Sequence, residues 1–270
     1  MRYELRRPGG VLAEHIHQLW FYDGYVKPHA RERLLPDGSM ELVINLSEDE
    51  TRVWNRRDLS RYDRLDGAAL IGSQSEYFVI DTAEQRTVMG VHFRPGGAFL
   101  FLPLPADELH GQHVSLSGLW GGFARELRER LLATEDVAAR FDLLEGALMS
   151  QMNPMGRHPA VRFALREFHA KTGRRVADVT EAAGLSARRF IELFRREVGM
   201  SPKTYCRVRR FQRTVRRAAI GGPLDWRGEA LASGYFDQAH LIHDFQAIAG
   251  ISPGTWAELR TEHFNHVPLK

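Results

Sequence analysis

The second half of the chain contains one nine-residue pattern twice. Phe194-Arg195-Arg196-Glu197-Val198-Gly199-Met200-Ser201-Pro202 and Phe245-Gln246-Ala247-Ile248-Ala249-Gly250-Ile251-Ser252-Pro253 both read F-x-x-x-x-G-x-S-P, at an offset of 51. Upstream of each stands a glycine followed by an apolar residue, Gly184-Leu185 and Gly234-Tyr235, at an offset of 50. Two copies of one supersecondary unit, one with an extra residue in its turn, is the economical explanation.

Each copy has the pattern of a helix-turn-helix. In the first, Val176, Val179 and Ala183 make a short apolar stripe, Gly184 supplies a left-handed turn, and Ser186 caps a second helix whose inner face is Phe190, Leu193 and Phe194. In the second, Ala230 and Leu231 precede Gly234, Asp237 caps, and Leu241, Phe245 and Ile248 form the inner face. A plain helical bundle would need only the apolar stripes, so charge has to arbitrate. Residues 157–270 hold 20 Lys+Arg against 11 Asp+Glu and carry +9, whereas the rest holds 17 against 23 and carries −6. A basic second half on an acidic first half points to a polyanion met by the second half alone.

The 270 residues are enough for two domains. The first stretch alternates short strands with turns, at Gln18–Tyr22, Glu41–Leu46, Tyr77–Ile80 and Thr87–Phe93, which predicts a small β sandwich or barrel. From Phe123 the period becomes helical, through Phe123, Leu127 and Leu131 and then Val137, Phe141, Leu144 and Leu148. Asn153-Pro154-Met155-Gly156-Arg157-His158-Pro159 reads as the linker. The expected organisation is α+β: a β-rich domain over 1–152 ending in a helical pair, a linker over 153–159, and an all-α domain over 160–270. The two units of that second domain fall at about 174–198 and 225–249, joined by a helix at about 202–218.

At Ala230-Leu231-Ala232-Ser233-Gly234-Tyr235-Phe236-Asp237-Gln238-Ala239-His240 and at the two F-x-x-x-x-G-x-S-P tails, the sequence resembles the AraC/XylS family of bacterial transcription regulators. The resemblance spans roughly Val161 to Leu259. It implies two reading helices in successive major-groove segments, joined by an arginine-bearing helix with Arg207, Arg209, Arg210, Arg213, Arg216 and Arg217. Thr180 departs from the small residue usual at its position. Leu35-Pro36-Asp37-Gly38-Ser39 and Phe93-Arg94-Pro95-Gly96-Gly97 resemble a β-rich amino-terminal domain found on a subset of such regulators. By analogy it is barrel-like or cupin-like, and it senses a small-molecule effector, makes a homodimer, or both. The partners implied are operator or promoter double-stranded DNA and RNA polymerase, with no membrane, no cofactor and no metal.

With Phe190, Leu193 and Phe194 facing inward, about 100° per residue turns Arg188, Glu192 and Arg195 outward, with Ile191 on the flank. Arg188 suits a guanine edge, Glu192 a cytosine amino group, and Ile191 either a thymine methyl or packing under the linker helix. In the second copy the outward set is Ala239, His243 and Gln246, flanked by Gln238 and His240. Candidate ligand-pocket residues in the first domain are Trp20, Tyr22, Tyr25, Trp54 and His92, with core packing the alternative use of the aromatics.

Other readings are weaker. His15-Ile16-His17 and the pair His110 and His113 have metal-ligand spacing but lack the Glu and third His of a cupin centre. Arg94-Pro95-Gly96-Gly97 is either an anion cradle or simply a turn. No P-loop, nucleophile elbow or H-E-x-x-H is present, so no enzyme is expected; the alternative is a cupin-like metalloenzyme with a nucleic-acid-targeting basic domain. The single Cys206 and the absence of an apolar leader or spanning run suggest a cytoplasmic protein.

Overall fold

The computed structural model describes residues 2–24, 27–170, 174–220 and 224–269. Its strands are β1 (Arg2–Arg6), β2 (Ile16–Asp23), β3 (Arg31–Leu34), β4 (Glu41–Asn45), β5 (Glu50–Trp54), β6 (Tyr62–Asp66), β7 (Ala68–Ile71), β8 (Phe78–Asp81), β9 (Thr87–Phe93), β10 (His113–Ser115) and β11 (His266–Pro268). One sheet runs β1-β2-β9-β4-β7-β10 and the other β11-β3-β8-β5-β6, with every pairing antiparallel. The two sheets do not close on each other among the described residues, so the architecture is an open sandwich and the barrel alternative falls.

Alternation in the strands explains both faces of the first sheet. Ile16, Leu19 and Phe21 of β2, Leu42 and Ile44 of β4, and Met89 and Val91 of β9 form one buried face. They pack against α1 (Leu116–Trp120), α2 (Gly122–Leu132) and α3 (Val137–Gln151), through Leu127, Leu131, Phe141, Leu144 and Leu148. The intervening residues Gln18, Trp20, Val43 and Val88 turn to the opposite face, towards the second sheet. Gly90 is required there, because a Cβ would meet the Trp20 ring at 2.5 Å.

The remaining helices are α4 (Pro159–Ala170), α5 (Val176–Ala182), α6 (Ala187–Val198), α7 (Pro202–Ala219), α8 (Trp226–Ser233), α9 (Gln238–Ala249) and α10 (Pro253–Leu259). They build two cores. Val161, Leu165 and Phe168 of α4 join Val179, Phe190, Phe194 and Tyr205 in the first. Phe211 and Val215 of α7 join Ala230, Leu241, Phe245, Ile248 and Trp256 in the second. Thus α7 is shared by both units and fixes one against the other.

The second core also contains Leu35 and Val267. The tail after α10 returns to the first domain, where β11 pairs with β3 in the register His266 to Leu34. A partition that leaves 160–270 as a separate unit does not describe this strand. The segment between α3 and α4 is likewise tied down, since Asn153 N donates to Leu100 O at 2.7 Å and His158 N donates to the Glu197 carboxylate at 3.0 Å.

Candidate nucleic-acid interface

The repeated tail has a local physical meaning in both copies. Gly199 ends α6 with φ +86° and Gly250 ends α9 with φ +69°, conformations that a Cβ disfavours. Ser201 and Ser252 then cap the next helices, their Oγ atoms each accepting from a threonine N–H at 3.1 Å, and Pro202 and Pro253 open those helices where no N–H is needed. Upstream, Ser186 Oγ accepts from Arg189 N at 3.3 Å and Asp237 Oδ1 from His240 N at 2.8 Å. Thr180 is accommodated by donating its hydroxyl to Val176 O at 2.8 Å within α5. Of the two apolar residues at the end of α8, Ala230 faces the core and Leu231 is 62% exposed.

On α6, Arg188, Ile191 and Glu192 lie together on the open face. Arg188 is 92% exposed in its side chain and pairs with Glu192 at 3.1 Å, and Ile191 is 40% exposed. Arg189, which the sequence reading passed over, shares this face and approaches Glu192 at 3.6 Å. Arg195 is placed differently: it pairs with Asp107 of the first domain at 3.3 Å, on a short 3-10 segment, Ala106–Leu109, that packs against α6. Arg195 is exposed, as the helical period predicts, and its partner comes from a domain far away in the sequence.

On α9, Gln238, Ala239, His243 and Gln246 are exposed. His240 is drawn partly inward, its ring edge-on to Tyr235 at 5.2 Å and its Nε2 3.4 Å from Arg210. Phe236, 86% exposed in the turn before α9, is a further surface residue the sequence reading missed.

The arginines of α7 divide by partner. Arg207 and Arg210 donate to the buried Asp244 carboxylate of α9 at 2.8 and 2.9 Å, locking α9 to the shared helix. Arg217 donates to Glu229 of α8 and Arg213 to Ser233 O. Cys206 is half-buried among them, and burial pushes its thiol up to about 11.

Both signature turns of the first domain meet this half. Gly38, with φ +88°, lies against the Tyr205 ring, and Pro36 O accepts from Gln212 of α7 at 2.8 Å. Gly96 sits against the end of α6, and Ser73 Oγ donates to Gly199 O at 2.9 Å. Tyr77 N donates to Ile248 O at 2.7 Å. These turns are docking elements for the two helical units.

The pocket residues separate. Trp20 and Tyr22 line an inter-sheet cavity of about 210 Å³, walled mainly by apolar side chains such as Val43, Val53, Ile71 and Phe78. His113 faces it as a neutral imidazole, held down to about 4 by burial, with Nε2 lacking a partner. His263 and His266, from the tail after the second unit, complete its wall. Trp54 lies outside this cavity, with the Arg31 guanidinium stacked over its ring at 3.5 Å. His92 also lies elsewhere, 3.0 Å from Asp37 and 3.8 Å from Glu41. Burial opposes its charge, but Asp37 and Glu41 raise His92 well above its ordinary value; reciprocally, despite burial, His92 holds Asp37 down to about 2. Tyr25 is outside the described residues.

His110 and His113 diverge, the first towards Ser73 and the second towards the cavity. No group of three or more His, Cys, Asp or Glu among the described residues is arranged to hold a metal ion. No helix among them is long and apolar enough to cross a membrane.

A repeated, capped helix pair on a shared basic helix defines the class: the second half carries an AraC-type helix-turn-helix domain, the kind of module found in DNA-binding transcription regulators. Residues 179–258 match the helix-turn-helix domain family, and residues 5–115 match a domain of unknown function, DUF6597. Among solved structures, the chain is similar to ToxT from Vibrio cholerae. An apo ToxT variant is 9% identical with a TM-score of 0.47, covering 89% of this chain and 97% of that one. ToxT bound to an unsaturated fatty acid is 10% identical with a TM-score of 0.47, covering 93% and 97%. No curated protein matches the sequence.

Proposed function

We propose that the protein reads an asymmetric double-stranded operator, with α6 and α9 of one chain in successive major-groove segments. The observation that carries this reading is the pair of capped helices with unlike exposed faces mounted on α7. Arg188, Ile191 and Glu192, joined by Arg189, form the first reading surface; Gln238, Ala239, His243 and Gln246 form the second. Arg195 and His240 serve at the margins, one against Asp107 and the other against Tyr235. The two units then correspond to about 174–198 and 225–249, and residues 1–152 form the regulatory domain.

The inter-sheet cavity is the effector site in this reading. Its volume of about 210 Å³ exceeds the roughly 150 Å³ of an apolar cavity that takes benzene, so a compact, largely apolar molecule fits, with His113 Nε2 as its polar contact. Since His263 and His266 form part of the wall, such a molecule touches the tail of the DNA-binding half directly. RNA polymerase contact and homodimer formation remain part of the proposal through the family resemblance.

Selection of bound duplexes from a random pool tests the reading of DNA. The expected product is one directional site with two unlike elements about 10 base pairs apart. A palindrome, or no enrichment over the pool, would refute it.

A further inference from the structure

A second cleft, of about 990 Å³, opens between the two domains, apart from both the reading faces and the inter-sheet cavity. Six arginines line it: Arg94 from the first domain, Arg157 from the connecting segment, Arg162 and Arg166 from α4, and Arg209 and Arg216 from α7. Only two carboxylates share it, Glu14 and Asp37, and Asp37 is already held by His92. None of the six arginines has a carboxylate oxygen within 4 Å among the described residues. So much like charge gathered between two docked surfaces opposes the docking.

Arg157 feels the charges of Glu197 and Glu14 but has no direct partner among the described residues. Its Nε and Nη2 are buried without a hydrogen-bond acceptor, although buried donors are normally satisfied and buried charges normally paired. Neighbouring imidazoles register the same field. Burial, reinforced by Arg157, holds His15 below its ordinary value. Burial, with His92, Arg94, Arg7 and Arg216, does so for His17; burial, with Arg209, Arg216, Arg213 and Arg94, does so for His169. Val11, Leu100, Met152, Leu165 and Tyr205 supply an apolar flank.

We propose that this cleft binds a small molecule bearing two or more phosphate charges, gripped by arginines of both domains. A single carboxylate would leave most of the six guanidiniums uncompensated, whereas guanidinium forks match several phosphate oxygens at once. Bound there, the ligand turns mutual repulsion into shared attraction and clamps the DNA-binding half to the first domain. The turn Arg94-Pro95-Gly96-Gly97 thus docks α6 through its glycine and faces the anion through its arginine. The site stands whether or not the reading of DNA above is correct, because its test needs no DNA.

Calorimetric titration of the full chain at low salt, with inorganic pyrophosphate, adenosine triphosphate, citrate and oleate as separate probes, decides it. The expected result is one-to-one binding of a phosphate probe, weakened about tenfold or more by Arg209→Gln or Arg166→Gln and unaffected by Arg188→Ala. Arg166 is exposed and its side chain makes no protein hydrogen bond among the described residues, so its substitution leaves the fold intact. Tighter binding of adenosine triphosphate than of pyrophosphate would assign the apolar flank to an organic portion; equal binding would assign recognition to the phosphates alone. Absence of phosphate binding, tighter binding of citrate or oleate, or equal weakening by Arg188→Ala would overturn the proposal.

Discussion

Phe194 and Arg188 sit on one helix less than two turns apart, yet one is fully buried and the other 92% exposed in its side chain. Phe194→Ala or Phe245→Ala is therefore expected to cost about 3–5 kcal/mol through lost burial and a residual cavity, abolishing binding by unfolding. Arg188→Ala breaks only an exposed pair, worth at most about 0.5 kcal/mol, while weakening discrimination at one base pair by about 1–3 kcal/mol. Thermal melts beside titrations on single-base operator variants check both, and equal damage from the two substitutions would invert the helix orientation. Glu197, on the inner face of α6, offers a pH test. Burial pushes its carboxyl up to about 7, against an ordinary value of 4.5. Between those values the folded chain holds a proton that the unfolded chain has released, so this group's contribution to stability grows as pH falls through 7 and declines as pH rises through it. Glu197→Gln should raise the melting temperature more at pH 8 than at pH 5, and an equal shift at both would exclude a buried charge as the cause.

Among the elements, α7 decides how far apart α6 and α9, the proposed reading helices, stand. Its 18 residues span about 27 Å at 1.5 Å each, and both hydrophobic cores grip it, as do the ion pairs of Arg207 and Arg210 with Asp244. A rigid connector of this kind tolerates little change in operator spacing. Five base pairs inserted between the half-sites should reduce binding to the non-specific level, because the second groove then faces away. Ten should restore it only partly, since α7 cannot lengthen by another turn of DNA, about 34 Å. Footprinting on the spaced series measures this, and full recovery at ten would assign the two readers to separate chains. The helix wheel located the inner faces of α6 and α9, because burial follows the 3.6-residue period. It could not show that Arg207 and Arg210 hold α9, since their partner lies 37 and 34 residues away.

Across the whole molecule, charge and docking act on different halves. All the excess positive charge lies in residues 157–270, so this fragment should bind duplex DNA alone, with affinity falling steeply as salt rises. It should also melt below the full chain, because it loses Leu35 from its second core, the β3 partner of β11, and the contacts from Ser73 and Tyr77. Salt titrations and scanning calorimetry on fragment and full chain check the two statements. Equal binding by residues 1–155 would defeat the first, and equal melting would defeat the second.

The sequence by itself determined what is local: the duplicated helix pairs, their serine and aspartate caps, the glycines that end them, the inner and outer faces of α6 and α9, and the strands whose residues alternate. Each depends on neighbours within about four residues, so the signal is written in spacing. Tertiary structure decided the rest. The return of β11 to β3 brings His266 to Glu32, 234 residues away. It likewise decided the opening of the sandwich, the pairing of Arg195 with Asp107, and the gathering of arginines from four segments around one cleft. Such contacts join residues whose separation in the chain carries no period, so only the folded chain brings them together.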